Sequence, residues 1–202
     1  MLIPKSVLLI FLIFILGFKP KLKSSSSLGN IIVNFSLKST DNKLVALDSF
    51  KNARGFIIIF TCNHCPFAKL YTQRFNELFQ KYDSLGVHLL AINSMDTAMY
   101  EEEGFANMQD RAKIEKYQFT YLYDANQKVA KMFKAAHTPQ AYVLWKTDSA
   151  WKVKYCGAID NNGEQPELAT SFLGKATDEL LNDKTVSKPE TESFGCRIFY
   201  RD

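Results

Sequence analysis

The sequence predicts an α/β domain: a central mixed β-sheet with helices on both faces. Three observations carry this. Short apolar runs alternate with stretches of helical period, the pattern of parallel strands joined by helical crossovers. The run GFIIIF, residues 55–60, is apolar throughout and suits a central strand covered on both faces. Two late strand-like runs flank the turn KTDSA, which adds an antiparallel hairpin at one edge.

Residues 31–50 hold β-prone runs around an Asp41-Asn42 turn and predict a first hairpin. After GFIIIF, Phe67, Leu70, Tyr71, Phe75, Leu78, Phe79 and Tyr82 recur at threes and fours. That spacing predicts one amphipathic helix ending before Gly86. VHLLAIN, residues 87–93, is a second apolar strand. A polar helical stretch follows over 99–117, then the short strand FTYLYD. DANQ, from Asp124, has a capping-box pattern for a helix from Ala125 to Phe133. HTPQAYVLW and WKVKYCGAI form the terminal hairpin. Pro166 to Leu181 predicts the last helix, with Leu168, Phe172, Ala176, Leu180 and Leu181 on its inner side.

Composition sets the frame. Of 202 residues, 47% are hydrophobic, enough for one domain with a core. The net charge of +4 comes from Lys5, Lys19, Lys21 and Lys23, the only charges before residue 30. The remainder is balanced, so no clustered basic face for a nucleic acid is expected. Val7 to Phe18 is an unbroken apolar run. It is short for a span, which needs about 17–25 residues, and fits the apolar part of a secretory signal. The domain plan is therefore a signal peptide or N-terminal anchor plus Ser-rich linker over 1–29, a domain over 30–183 and a tail over 184–202. Export, to a bacterial periplasm, implies an oxidising compartment in which thiols carry meaning. Membrane contact is expected only through an uncleaved anchor.

The chemistry sits in TCNHCPF, residues 61–67. A Cys-x-x-Cys pair opening a helix places its first sulfur, Cys62, near the unsatisfied N–H groups of the first turn, which favours a thiolate. Cys65, one turn on, can close a disulfide with it. Pro66 suits a first helical turn. His64, between the sulfurs, is read either as a group that stabilises the thiolate or as a surface spectator. Zinc sites also use such a pair, but with a second ligand pair, and none follows. The two sulfurs with His64 and His137 form an alternative Cu(I) set. Cys156 is expected to be a core thiol. Cys196, at a flexible end, is read as packing with Ile198 and Phe199, with a resolving or bridging role as the alternative. Asp96, Asp124 and the YEEE run are expected to be caps and solvated faces, and Trp145 and Trp151 core residues.

His137-Thr138-Pro139 precedes an apolar strand, about 75 residues after the dithiol. With strand, Cys-x-x-Cys, helix, crossover, Thr-Pro strand, hairpin and final helix in order, the chain resembles the thioredoxin-like fold over residues 32–183. FTCNHCPFAK, AINSMD, YLYDANQKVAK, TPQAYVL, CGAIDNN and the terminal Gly195-Cys196 with Ile198 resemble, more narrowly, a peroxiredoxin-like subgroup of the alkyl hydroperoxide reductase/thiol-specific antioxidant superfamily. The resemblance implies a thiol–disulfide oxidoreductase. Cys62 attacks, Cys65 resolves and His64 tunes. Thr138 and Pro139, with a cis bond, and the adjoining His137 hold an extended substrate. Partners are protein thiols or disulfides or an upstream redox protein, and no organic cofactor is implied. Peroxiredoxins use Pro-x-x-x-Thr/Ser-x-x-Cys, whereas the matching positions before Cys65 hold Cys62 and Ile58, and before Cys62 hold Ile59 and Gly55. Peroxidase activity is thus the alternative rather than the expectation. Histidine just before the second cysteine resembles the oxidising members of the superfamily and implies a potential of about −180 to −120 mV.

Overall fold

The computed structural model describes residues 26–201. The leader expectation lies outside them. Among the described residues no helix is long and apolar enough to cross a membrane.

The strands are β1 (Ile31–Ile32), β2 (Ser36–Ser39), β3 (Leu44–Ala46), β4 (Gly55–Phe60), β5 (Val87–Asn93), β6 (Thr120–Tyr123), β7 (His137–Thr138), β8 (Gln140–Thr147), β9 (Ala150–Gly157) and β10 (Cys196–Arg197). The helices are α1 (Pro66–Lys69), α2 (Thr72–Tyr82), α3 (Phe105–Ile114), α4 (Lys128–Phe133) and α5 (Phe172–Leu181). Eight strands form one mixed sheet in the order β1-β9-β8-β4-β5-β6-β2-β3, and β10 pairs with β7 apart from it. The β4-β5-β6 centre is parallel, and β8 joins β4 antiparallel. This is the α/β thioredoxin-like architecture expected. The β2–β3 hairpin turns at Asn42, at φ 62°, and the β8–β9 hairpin turns at Asp148 and Ser149, at φ 50° and 65°.

All six residues of β4 are buried. Strand alternation then splits the core in two. Phe56, Ile58 and Phe60 face one side with Leu90, Ile92, Tyr142 and α4 residues Val129, Ala130 and Phe133. Ile57 and Ile59 face the other with Phe75 of α2, Met108 of α3 and Leu173 and Ala176 of α5. Phe60, Phe133 and Tyr142 meet edge to face at 5.1–5.7 Å between ring centroids. Gly55 is required by packing, because a Cβ there would collide with the Trp145 ring.

Several elements differ from expectation. The helix after the cysteines is two helices. Tyr71 N–H bonds to Ala68 O, three residues back, and the tightened turn separates α1 from α2. Tyr71 is thereby buried, donating its hydroxyl to Asp160 at 2.9 Å, while Phe67 and Leu70 come out to solvent. The 99–117 stretch divides at Gly104 into a 3-10 turn, Glu101–Glu103, and α3. The last helix starts at Phe172, capped by the Ser171 hydroxyl, and leaves Leu168 exposed. Asp124 does cap α4, accepting from Val129 and Ala130 N–H, but the helix starts three residues later than expected because Gln127 sits at φ 56°. Trp145 and Trp151 are only half-buried.

The C-terminal segment packs on the domain rather than leaving it. Cys156 N–H bonds to Pro189 O, Thr191 N–H to Cys156 O, and Ile198 N–H to Ala136 O. Gln127 holds the end, donating to Phe199 O and accepting from Arg201 N–H.

Candidate active site

The dithiol lies where the central strand gives way to α1. Thr61 N–H still bonds to Ile92 O on β5, at 2.9 Å. The chain then turns through Asn63-His64, Cys65 caps α1, and Pro66 is its first residue. Pro66 sits where expected, since its missing N–H is not needed there. The helix nevertheless begins one step too late for the expected thiolate. Cys65, not Cys62, stands at the helix end. Both sulfurs are buried and reduced.

The Thr138–Pro139 bond is cis, and it lies against the pair as expected. The Thr138 hydroxyl is 3.1 Å from Cys62 Sγ, and the Thr138 carbonyl oxygen is 3.1 Å from Cys65 Sγ. His137 stands at the rim of this strand, its Nδ1 3.5 Å from the Ser193 hydroxyl. It does not join His64 and the sulfurs. Among the described residues the one set that could hold a metal ion is Cys62, His64 and Glu103, so the Cu(I) set with His137 is not assembled.

Glu103 is the residue that sequence reasoning missed. Its carboxylate is fully buried. It accepts from Asn63 N–H at 2.9 and 3.0 Å, His64 N–H at 2.8 Å and Asn93 Nδ2 at 2.6 Å, and His64 Nδ1 lies 2.6 Å from Oε1. A buried carboxylate needs such a shell of donors. Around it, Asn63 Nδ2 donates to Glu102 O, Asn63 Oδ1 accepts from the Tyr121 hydroxyl, and His64 stacks on Tyr100 at 4.0 Å. The Asn63-His64 turn is thus clamped from beneath. Its N–H groups serve Glu103 and are not free for Cys62. In the sequence Glu103 is one of three successive glutamates, and nothing there marks which one turns inward.

These contacts set the protons. Hydrogen bonding to Cys65, then burial, then the Glu103 charge push the Cys62 thiol far up. Cys65 is pushed down to about 4, chiefly by the hydrogen bond from Cys62 and further by Cys196 and by the Ala68 N–H. The Thr138 carbonyl beside Cys65 disfavours charge there. The Cys62 thiol, the Cys196 thiol and N–H, and the Ala68 N–H outweigh it. The two thiols are thus coupled, with Cys62 pushed up and Cys65 pushed down, the reverse of the order expected from the sequence. Two features accompany this reversal: the helix begins at Pro66, and Glu103 takes the turn's donors. His64 faces Glu103, and its ring lies within 4.8 Å of both the Glu103 carboxylate and the Cys62 sulfur.

Cys156 is buried, as expected, 3.5 Å from the Ser26 hydroxyl. Cys196 is not at a loose end but in β10, paired with Thr138.

A curated relative, the chloroplastic peroxiredoxin Q of Triticum aestivum, is 29% identical over 150 residues, covering 70% of this chain and 62% of that protein. The chain thus spans about 62% of the length of the curated relatives it matches. A hypothetical protein from Sinorhizobium meliloti superposes with a TM-score of 0.79 at 30% identity, covering 88% of this chain and 96% of that one. An uncharacterized conserved protein from Geobacillus kaustophilus gives 0.78 at 33%, covering 86% and 92%. The thioredoxin domain of a thiol–disulfide oxidoreductase from Bacteroides vulgatus shares the fold, with a TM-score of 0.52 at 11% identity, covering 66% and 91%. The AhpC/TSA family model matches residues 28–155, which include the dithiol and the Thr138–Pro139 strand that closes over it. The chain belongs to the AhpC/TSA family of thioredoxin-like redox proteins.

Proposed function

We propose that the protein is a thiol–disulfide oxidoreductase that uses Cys62 and Cys65 to exchange disulfides with polypeptide thiols. The observation that carries this reading is the pair of buried sulfurs, each 3.1 Å from Thr138 at the cis Thr138–Pro139 bond. A thiolate held near pKa 4 stabilises the dithiol over the disulfide, which makes the oxidised pair a good electron acceptor. In that direction a partner thiolate attacks Cys65 Sγ. The Cys65–partner bond forms, the Cys62–Cys65 bond breaks, and Cys62 leaves and takes the partner's proton. A second partner thiolate then attacks the partner sulfur, and Cys65 departs as thiolate. The lowered Cys65 thiol favours its departure in this second step. Glu103 positions the turn and discourages charge on Cys62, so that Cys62 is protonated on release.

The test uses the reduced protein and oxidised glutathione, with acid quenching and mass analysis. The Cys62→Ser variant is expected to carry glutathione on Cys65, and Cys65→Ser none. No adduct at Cys65 would sink the reading. The second reading, thiol peroxidase, draws on the family and the likeness to peroxiredoxin Q. It requires hydrogen peroxide consumption by the reduced protein that Cys65→Ser lacks.

The apolar run over residues 7–18 supports export as part of the proposal. Cell fractionation with the full chain should find the protein outside the cytosol; a cytosolic protein with its leader intact would count against it.

A further inference from the structure

The C-terminal segment occupies the edge of β7 where an extended substrate would add as a strand. Cys196 pairs with Thr138 and Arg197 with His137, antiparallel. The Thr138 hydroxyl reaches Cys196 O at 3.4 Å. Thr138 is also the residue whose carbonyl and hydroxyl touch Cys65 and Cys62, each at 3.1 Å. The strand is seated from both sides. Phe194 packs edge-on against Phe67 of α1 at 5.8 Å, and Ile198 is buried, its N–H bonded to Ala136 O. Gly195, at φ 143°, makes the close approach possible, because a Cβ there would run into the Thr138 carbonyl. A cysteine-bearing strand thus lies where strand addition would deliver one.

We propose that Cys196 is a third redox cysteine and that β10 is a built-in substrate, whose thiol exchanges with the Cys62–Cys65 disulfide at Cys65. This rests on the dithiol reading above. Cys196 thiolate attacks Cys65 Sγ, the Cys65–Cys196 bond forms, and the Cys62–Cys65 bond breaks. Cys62 leaves with the electron pair and takes up the proton that Cys196 lost. One disulfide is consumed and one is formed, so no outside oxidant is needed. Burial and the neighbouring Cys65 charge push the Cys196 thiol up to about 12. Oxidation of Cys65 removes that charge and so eases the ionisation of Cys196, while burial and Glu103 continue to oppose it. The same step is the one an external partner would perform, so the substrate class is an extended polypeptide segment with a small residue before its cysteine.

Disulfide mapping of the full chain tests this. The protein is equilibrated in glutathione buffers of graded potential, quenched in acid, alkylated with N-ethylmaleimide and digested with trypsin. Cleavage after Arg54, Lys69, Lys184 and Arg197 leaves Cys62 and Cys65 on residues 55–69 and Cys196 on residues 185–197. The proposal expects 55–69 joined to 185–197 through Cys65, with Cys62 alkylated. Cys196 alkylated at every potential, beside an internal 55–69 disulfide, overturns the proposal and leaves the dithiol reading standing. No disulfide in 55–69 at any potential overturns both. Linkage through Cys62 overturns the assignment to Cys65. In Gly195→Ala the cross-link should be lost while the internal 55–69 disulfide persists. A cross-link unchanged in that variant contradicts the role given to β10.

Discussion

At the scale of single residues the site is governed by who supplies hydrogen bonds to whom. Glu103 gathers the N–H groups of Asn63 and His64, so Cys62 has a carboxylate below it rather than free donors. Replacing it by glutamine removes the charge and sets an amide among groups that are themselves donors. Glu103→Gln should lose about 2–3 kcal/mol of stability by urea unfolding, the scale of buried bonds to a charged acceptor. The Cys62 thiol should also titrate lower, read from thiolate absorbance. The sulfur pair makes stability depend on pH. Cys65 is lowered from its ordinary 9.0 to about 4, so its share of stability is full above pH about 9 and is lost as pH falls toward 4. Cys62 is raised, so its share is full below its ordinary 9.0 and is lost as pH climbs. The reduced protein should therefore gain stability over Cys65→Ser as pH rises from acid to about 9. A gap that does not change over that window would contradict the lowered Cys65 thiol.

At the scale of elements, the strands were legible because burial on both faces leaves a strong mark, as in GFIIIF and VHLLAIN. Helix starts were less so. DANQ announces a cap correctly, yet Gln127 takes a left-handed conformation and Asp124 reaches past it to Val129, Ala130 and the Ser94 hydroxyl. Asp124→Ala should cost about 2 kcal/mol, at the upper end for a cap because the carboxylate is buried, with a lower denaturation midpoint and an unchanged slope. The break between α1 and α2 left no trace in the period, since Tyr71 keeps its place in the spacing while its hydroxyl seeks Asp160, a residue 89 positions away. β10 was equally hidden. Two residues carry no periodicity, and their partner strand is itself two residues long.

Across the whole molecule, two core layers flank one buried strand, and the dithiol sits at that strand's end. The layer containing Phe133 also contains Cys62 and Cys65, so sheet packing and site geometry are joined. Phe133→Ala should lose about 3–5 kcal/mol, as large aromatic truncations do, and should loosen the sulfurs' contacts with Thr138 as well. Faster alkylation of Cys65 in that folded variant would show the link, and an unchanged rate would deny it. The dithiol was readable from sequence because a short motif defines it, whereas the cis bond at Pro139 followed only from the family resemblance, since the residues alone fit a trans proline equally. The order of the two thiols was not legible, because it depends on Glu103 and Cys196, which only the folded chain brings there. The central claim is a dithiol whose reduced form is stabilised by a thiolate at Cys65. The most direct test is the equilibrium potential of the Cys62–Cys65 disulfide in glutathione buffers. The account predicts about −180 to −120 mV, and a value near −270 mV, or no disulfide at all, would contradict it.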